Sequence, residues 1–82
     1  MFLTIISPEK TIFKGGSVKS IAVPGKKGRF TMLENHAPII STLDKGNIVY
    51  VIDNNEYKVA ICSGLLEVYK NNVTICIEEN KK

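Results

Sequence analysis

Gly28-Arg29-Phe30-Thr31-Met32-Leu33-Glu34-Asn35-His36-Ala37-Pro38-Ile39-Ile40-Ser41-Thr42-Leu43 is the stretch that decides the fold. An apolar run (Phe30, Met32, Leu33) enters a polar corner, Glu34-Asn35-His36, and an apolar strand restarts at Ile39. Pro38 biases Ala37 toward an extended conformation, so the corner separates two strands and does not open a helix. The chain's single histidine stands at that corner beside residues suited to turns. The reading is strand, shaped corner, strand, with the corner exposed to be read by something else.

The same grammar runs outward in both directions. Upstream, Phe2 to Ser7 is apolar and β-branched, and Ser7-Pro8-Glu9-Lys10 reads as a turn. Thr11 to Lys14 starts a second strand, and Gly15-Gly16 marks a bend or bulge. Val18, Ile21 and Val23 define the apolar face of the next strand, and Pro24-Gly25-Lys26-Lys27-Gly28 reads as a loop. Downstream, Asp44-Lys45-Gly46-Asn47 turns the chain into Ile48 to Ile52, and Asp53-Asn54-Asn55-Glu56 forms a hairpin tip. Tyr57 to Cys62 returns with Tyr57, Val59 and Ile61 on one face, and Ser63-Gly64 breaks it. Leu65 to Tyr69 follows, then a turn at Lys70-Asn71-Asn72, then a strand carrying Val73, Ile75 and Ile77. Glu78 to Lys82 reads as a charged, fraying tail. No stretch carries apolar residues at helical spacing without a Gly, Pro or Asn break. The expectation is an all-β chain, a flattened sandwich or barrel of about ten short strands forming a single domain over residues 1–82.

Bulk properties narrow the function. A chain of 82 residues buries only roughly 60–65% of its unfolded surface, too thin a core for a large catalytic cavity. No apolar run approaches the ~20 residues of a membrane helix, and the N-terminus has no basic leader. An intracellular, soluble chain is expected. Cys62 and Cys76 lie in apolar stretches away from metal-ligand spacing and read as buried or half-buried thiols. The net charge is +3, and the one tight basic cluster is Lys26, Lys27 and Arg29, with Lys81 and Lys82 at the tail. Three phosphate contacts give a salt slope of only about −3, which is weak nucleic-acid binding.

The chemistry of an active site is missing. His36 has no Ser or Cys beside it in a recognisable arrangement. Gly25-Lys26-Lys27-Gly28 lacks the Gly-Lys-Ser/Thr ending and the helix of a phosphate loop. Glu9, Glu34, Asp44, Asp53 and Glu56 all fall in turns, and Glu67 alternates onto the solvent face of its strand. No enzyme, metal or cofactor is expected.

Three segments together carry a specific resemblance: Val23-Pro24-Gly25-Lys26-Lys27-Gly28-Arg29-Phe30, the Leu33-Glu34-Asn35-His36-Ala37-Pro38 corner, and Ser63-Gly64-Leu65-Leu66-Glu67-Val68. With Leu3 to Lys10, Phe13-Lys14-Gly15, Leu43-Asp44-Lys45-Gly46 and Asn72-Val73-Thr74-Ile75 in the same order, the chain resembles the N-terminal domain of the epsilon subunit of the rotary F-type ATP synthase, from Leu3 to about Ile77. The resemblance implies a ten-stranded sandwich in the central stalk, bound to the gamma subunit and the c-ring. It implies a non-catalytic coupling role, peripheral at the cytoplasmic face of a bacterial inner membrane. Carried over by position, Pro24, Gly25, Lys26, Lys27, Gly28 and Arg29 face the c-ring, and Ser7, His36 and Ser41 face gamma. Thr31 stands where the family usually has Gly, and Arg29 where relatives often carry an acid. Most relatives continue into two C-terminal helices that can inhibit hydrolysis; taken as complete at Lys82, this chain is expected to couple without inhibiting by that route. Two other readings of a small β-chain are a basic nucleic-acid-binding barrel and a biotinyl- or lipoyl-type carrier with Lys45 at the hairpin tip.

Overall fold

The computed structural model describes residues 1–79, and every regular element in that range is a strand. In chain order they are β1 (Phe2–Ile6), β2 (Thr11–Gly15), β3 (Ser20–Gly25), β4 (Gly28–Leu33), β5 (Ile39–Leu43), β6 (Gly46–Ile52), β7 (Asn55–Tyr69) and β8 (Asn72–Glu79). The count falls below ten chiefly because Ser63-Gly64 does not end a strand. β7 runs through it for 15 residues.

That long strand organises the architecture. Its first half pairs with β6, Gly46 to Ile52 against Ile61 to Asn55. Its second half pairs with β5 on one side and β8 on the other. One layer therefore runs β2-β1-β8-β7-β5, and the other runs β7-β6-β3-β4. Gly25 of β3 also pairs with Leu43 of β5, so the pairings β7-β5-β3-β6-β7 form a closed ring. Closure leaves fewer exposed edges than two separate sheets would. β1 and β8 pair in parallel, from Phe2 against Asn72 to Ile6 against Cys76.

Alternation puts one face of each strand inside. Leu3, Ile5, Leu66, Val68, Val73, Ile75 and Ile77 come from the first layer; Ile21, Val23, Met32, Ile48 and Ile61 come from the second. All are buried in one apolar cluster, and each such side chain contributes about 1.5–3 kcal/mol on burial. Phe13 of β2 reaches across to Tyr50 of β6, ring centroids 4.7 Å apart, and Tyr50 stacks on Tyr57 at 5.3 Å.

Burial pushes the Tyr50 phenol above its ordinary value of 10.0, and the neighbouring Tyr57 adds to the shift. A phenol whose value rises on folding contributes stability that is full below the unfolded value and is lost as pH rises through the folded one. Urea unfolding from about pH 8 to about pH 11 is therefore expected to show an alkaline loss of stability that Tyr50→Phe reduces. An equal loss in both proteins would remove Tyr50 as its source.

The turns match their residues. Asp53 and Asn54 adopt φ of 52° and 66°, and Lys70 and Asn71 adopt 51° and 62°. Both central residues of each two-residue hairpin are thus left-handed, which suits the right-handed strand twist. Thr31 pairs with Ala22 in unbroken register, and β4 is regular there. Pro24 lies in β3 opposite Arg29, and the turn proper is Lys26-Lys27. Glu78 and Glu79 belong to β8; the rest of the expected tail lies outside the described residues.

The cysteine expectation is half right. Cys62 is half-buried, at a register shift between Ile61 and Ser63, but Cys76 is exposed. Ile75 and Ile77 take the core positions of β8, so Cys76 must face outward. It pairs with Leu65, not with Cys62, and both remain thiols.

Candidate interaction surfaces

The Pro24–Arg29 segment forms one tip of the molecule. It is tied to the β5–β6 turn by backbone bonds from Lys26 N to Thr42 O (3.1 Å) and from Asp44 N to Pro24 O (2.8 Å). Gly25 makes the tight return: a Cβ there would lie 2.7 Å from Gly28 O and 2.6 Å from the Phe30 ring. Lys26, Lys27 and Arg29 are exposed around an open cleft of about 570 Å³ whose other wall is Ile39 to Thr42.

The structure separates the residues expected to face gamma. Ser41 is half-buried in the tip cleft, on the opposite face of β5 from Ile40 and Thr42. Its hydroxyl donates to Thr42 O at 3.1 Å. Ser7 lies at the end of β1, where its hydroxyl accepts from Glu9 N and Lys10 N and closes the turn. It lines a second cleft of about 410 Å³ with Ile6, Pro8, Leu65 and Cys76. His36 stands at the corner and donates from Nδ1 to Ala37 O at 2.8 Å, which leaves Nε2 of a neutral ring to accept from a partner.

Two features escaped the sequence reading. The corner is clasped from a distance of 36 residues. Asn35 N donates to Asn71 Oδ1 at 2.7 Å, and Asn71 Nδ2 returns a bond to Asn35 Oδ1 at 3.0 Å. Asn71 O also accepts from Phe2 N at 2.8 Å, so one hairpin residue holds both the corner and β1. The second feature is an apolar outer face on the first layer. Ile6, Cys76, Leu65 and Thr42 form one register row across β1, β8, β7 and β5. Ile40 and Tyr69 flank it, 72% and 57% exposed. The signal was present in the doublets Ile39-Ile40 and Leu65-Leu66, because alternation forces one member of each outward.

The titratable groups that line the tip cleft are all basic, Lys26, Lys27 and Arg29, and among the described residues no three His, Cys, Asp or Glu side chains gather as metal ligands. No helix among them is long and apolar enough to cross a membrane. The described surface thus offers exposed corners, one basic tip and one apolar outer face on an all-β frame. The comparisons give the family. The sequence model of the ATP synthase Delta/Epsilon chain β-sandwich domain matches residues 1–81, and the chain belongs to that family. It is 36% identical to the ATP synthase epsilon chain of Symbiobacterium thermophilum over 92% of its own length and 54% of the relative's. It is 39% identical to that of Maricaulis maris over 92% and 56%. The chain thus spans about half the length of these curated relatives. Among solved structures, a chain of the Euglena gracilis mitochondrial ATP synthase OSCP/F1/c-ring assembly superimposes with a TM-score of 0.88. It has 22% identity and is covered to 49%, against 94% of this chain. A chain of the Tetrahymena thermophila central stalk/c-ring assembly gives 0.82 at 14% identity, over 96% of this chain and 63% of that one. At such identities the likeness establishes the fold.

Proposed function

We propose that this chain is the sandwich portion of a non-catalytic central-stalk subunit of an F-type ATP synthase, joining the gamma subunit to the c-ring and so coupling ion translocation to ATP synthesis. The observation that carries this reading is the family match across residues 1–81, supported by relatives named as epsilon chains. The tip at Pro24, Gly25, Lys26, Lys27, Gly28 and Arg29 meets the c-ring. Ser7, His36 and Ser41 meet gamma, Ser41 from the edge of the tip cleft. The apolar row through Ile6, Leu65 and Cys76 supplies the desolvated centre of the gamma contact that the polar candidates rim. The membrane association is peripheral, through the complex, at the cytoplasmic face of a bacterial inner membrane.

The test is affinity isolation of the chain from detergent-solubilised membranes of its source, with mass spectrometry of what accompanies it. Gamma, the catalytic ring and the c subunit are expected in one complex. Leu65→Glu, at a 47% exposed position, is expected to cut recovery of gamma about tenfold or more while the isolated chain still melts cooperatively. Recovery of the chain alone, or with nucleic acid or acyltransferases, would overturn the reading.

A further inference from the structure

We propose that the basic end of the sandwich recognises a polypeptide loop that presents carboxylates. This rests on the reading that this end meets the membrane-embedded ring, and it adds the chemistry of the surface met there. The β3–β4 tip and the β5–β6 turn are bonded together through Asp44 N and Pro24 O, so their charges share one end of the molecule. That end holds Lys26, Lys27, Arg29 and Lys45 against Asp44, four cations and one acid, a net of +3. The whole chain has 11 basic and 8 acidic residues, also +3, so the remainder is neutral and the entire excess lies here. Among the described residues no carboxylate forms an ion pair with any of the four cations; an ion pair from Met1 N to Glu34 Oε2 at 3.5 Å lies elsewhere, at the corner.

The occupant follows from what this end does and does not offer. Its backbone is partly committed, because Lys26 N and Asp44 N already donate to Thr42 O and Pro24 O. A converging nest of free amides, the usual cradle for a phosphate, is therefore not what the tip presents. Recognition falls to side chains, and the Arg29 fork matches a carboxylate in two-point contact. The adjoining cleft has Phe30, Ile39 and Ile40 in its walls, which suits a loop that inserts an apolar side chain between its acids. An anionic lipid surface fits less well. Polybasic lipid contacts use about 4–8 cations at roughly 1 kcal/mol each; four cations stand at the bottom of that range, and the exposed Asp44 beside them would be repelled by a uniformly negative plane. A polypeptide loop can set a donor opposite Asp44 and acids opposite its neighbours.

The experiment uses membranes carrying the ATP synthase, stripped of this subunit and supplied with the purified chain. A carbodiimide then joins lysine amines to carboxylates in contact with them, and the joined peptides are read by mass spectrometry. Lys26 or Lys27 is expected in an amide bond to an Asp or Glu of a c-ring loop. The triple variant K26Q/K27Q/R29Q is expected to rebind about tenfold more weakly at low salt, with the difference shrinking as salt rises. Its melting temperature serves as the folding control. Rebinding unaffected by the triple variant, or coupling only to carboxylates outside the ring, would overturn the proposal while leaving the central-stalk reading intact. So would binding of the chain to phosphatidylglycerol vesicles with the same dependence on the three residues. Failure of the wild-type chain to rebind at all would remove the central-stalk reading, and the proposal with it.

Discussion

Leu66→Ala is expected to lower the unfolding free energy by about 3 kcal/mol, and Leu65→Ala, one residue away, by well under about 1 kcal/mol. Leu66 is 0% exposed and Leu65 is 47% exposed. Truncating Leu66 leaves a void between the layers, because its neighbours in the cluster cannot collapse without moving paired strands. In a domain of this size, about 3 kcal/mol lowers the melting temperature by roughly 12–24 °C. Leu65 loses only partly solvated surface, so its alanine variant should melt near the wild type. Chemical denaturation of both variants checks the pair. Equal losses would mean that β7 is registered one residue away from the pairing described, since a one-residue slip exchanges the faces.

Gly25→Val is expected to cost about 2–3 kcal/mol and to displace the basic tip. Any Cβ at this site meets the Gly28 carbonyl at 2.7 Å and the Phe30 ring at 2.6 Å and 2.9 Å. The ring could swing aside, but the carbonyl is backbone at the turn that closes β3 onto β4. Relief therefore requires the hairpin to open, and Gly25 is also where β3 meets Leu43 of β5. Stability and rebinding to stripped membranes should fall together. The K26Q/K27Q/R29Q variant, by contrast, should lose binding alone. A Gly25→Val protein with wild-type melting would refute the tight return as drawn.

Much of the fold was legible because short β-branched runs between Gly, Pro, Asn and Asp turns leave little choice. Val18, Ile21 and Val23 were assigned to one face, and all three are buried. Glu67 was assigned to solvent and is exposed. The hairpin at Lys70-Asn71 is where its residues permit positive φ. What local pattern could not carry is pairing at a distance. Ser63-Gly64 reads as a break, yet β7 continues through it, since a Cβ at Gly64 would lie 2.9 Å from Cys76 O on the adjoining strand. The glycine there serves a close backbone approach. The Asn35–Asn71 clasp likewise joins two turns, each recognised separately, that only the assembled sheet brings together. Cys76 was misplaced because its residue type outweighed its position between two isoleucines. The tip was found as a basic loop, but its coupling to Asp44 and Ser41 needed the β3–β5 contact.

The parallel pairing of β1 with β8 sets a timetable for synthesis. Phe2 waits for Asn72, and at about 5–20 residues per second the ribosome delivers that partner some 4–14 s later. Until then β1 has only the hairpin to β2, and the side of Leu3 and Ile5 meant for the interior lies open. The nascent chain therefore spends seconds with that apolar side uncovered. Once β8 emerges, closure must join neighbours that lie some 70 residues apart along the chain, the kind of distant contact that makes folding slow.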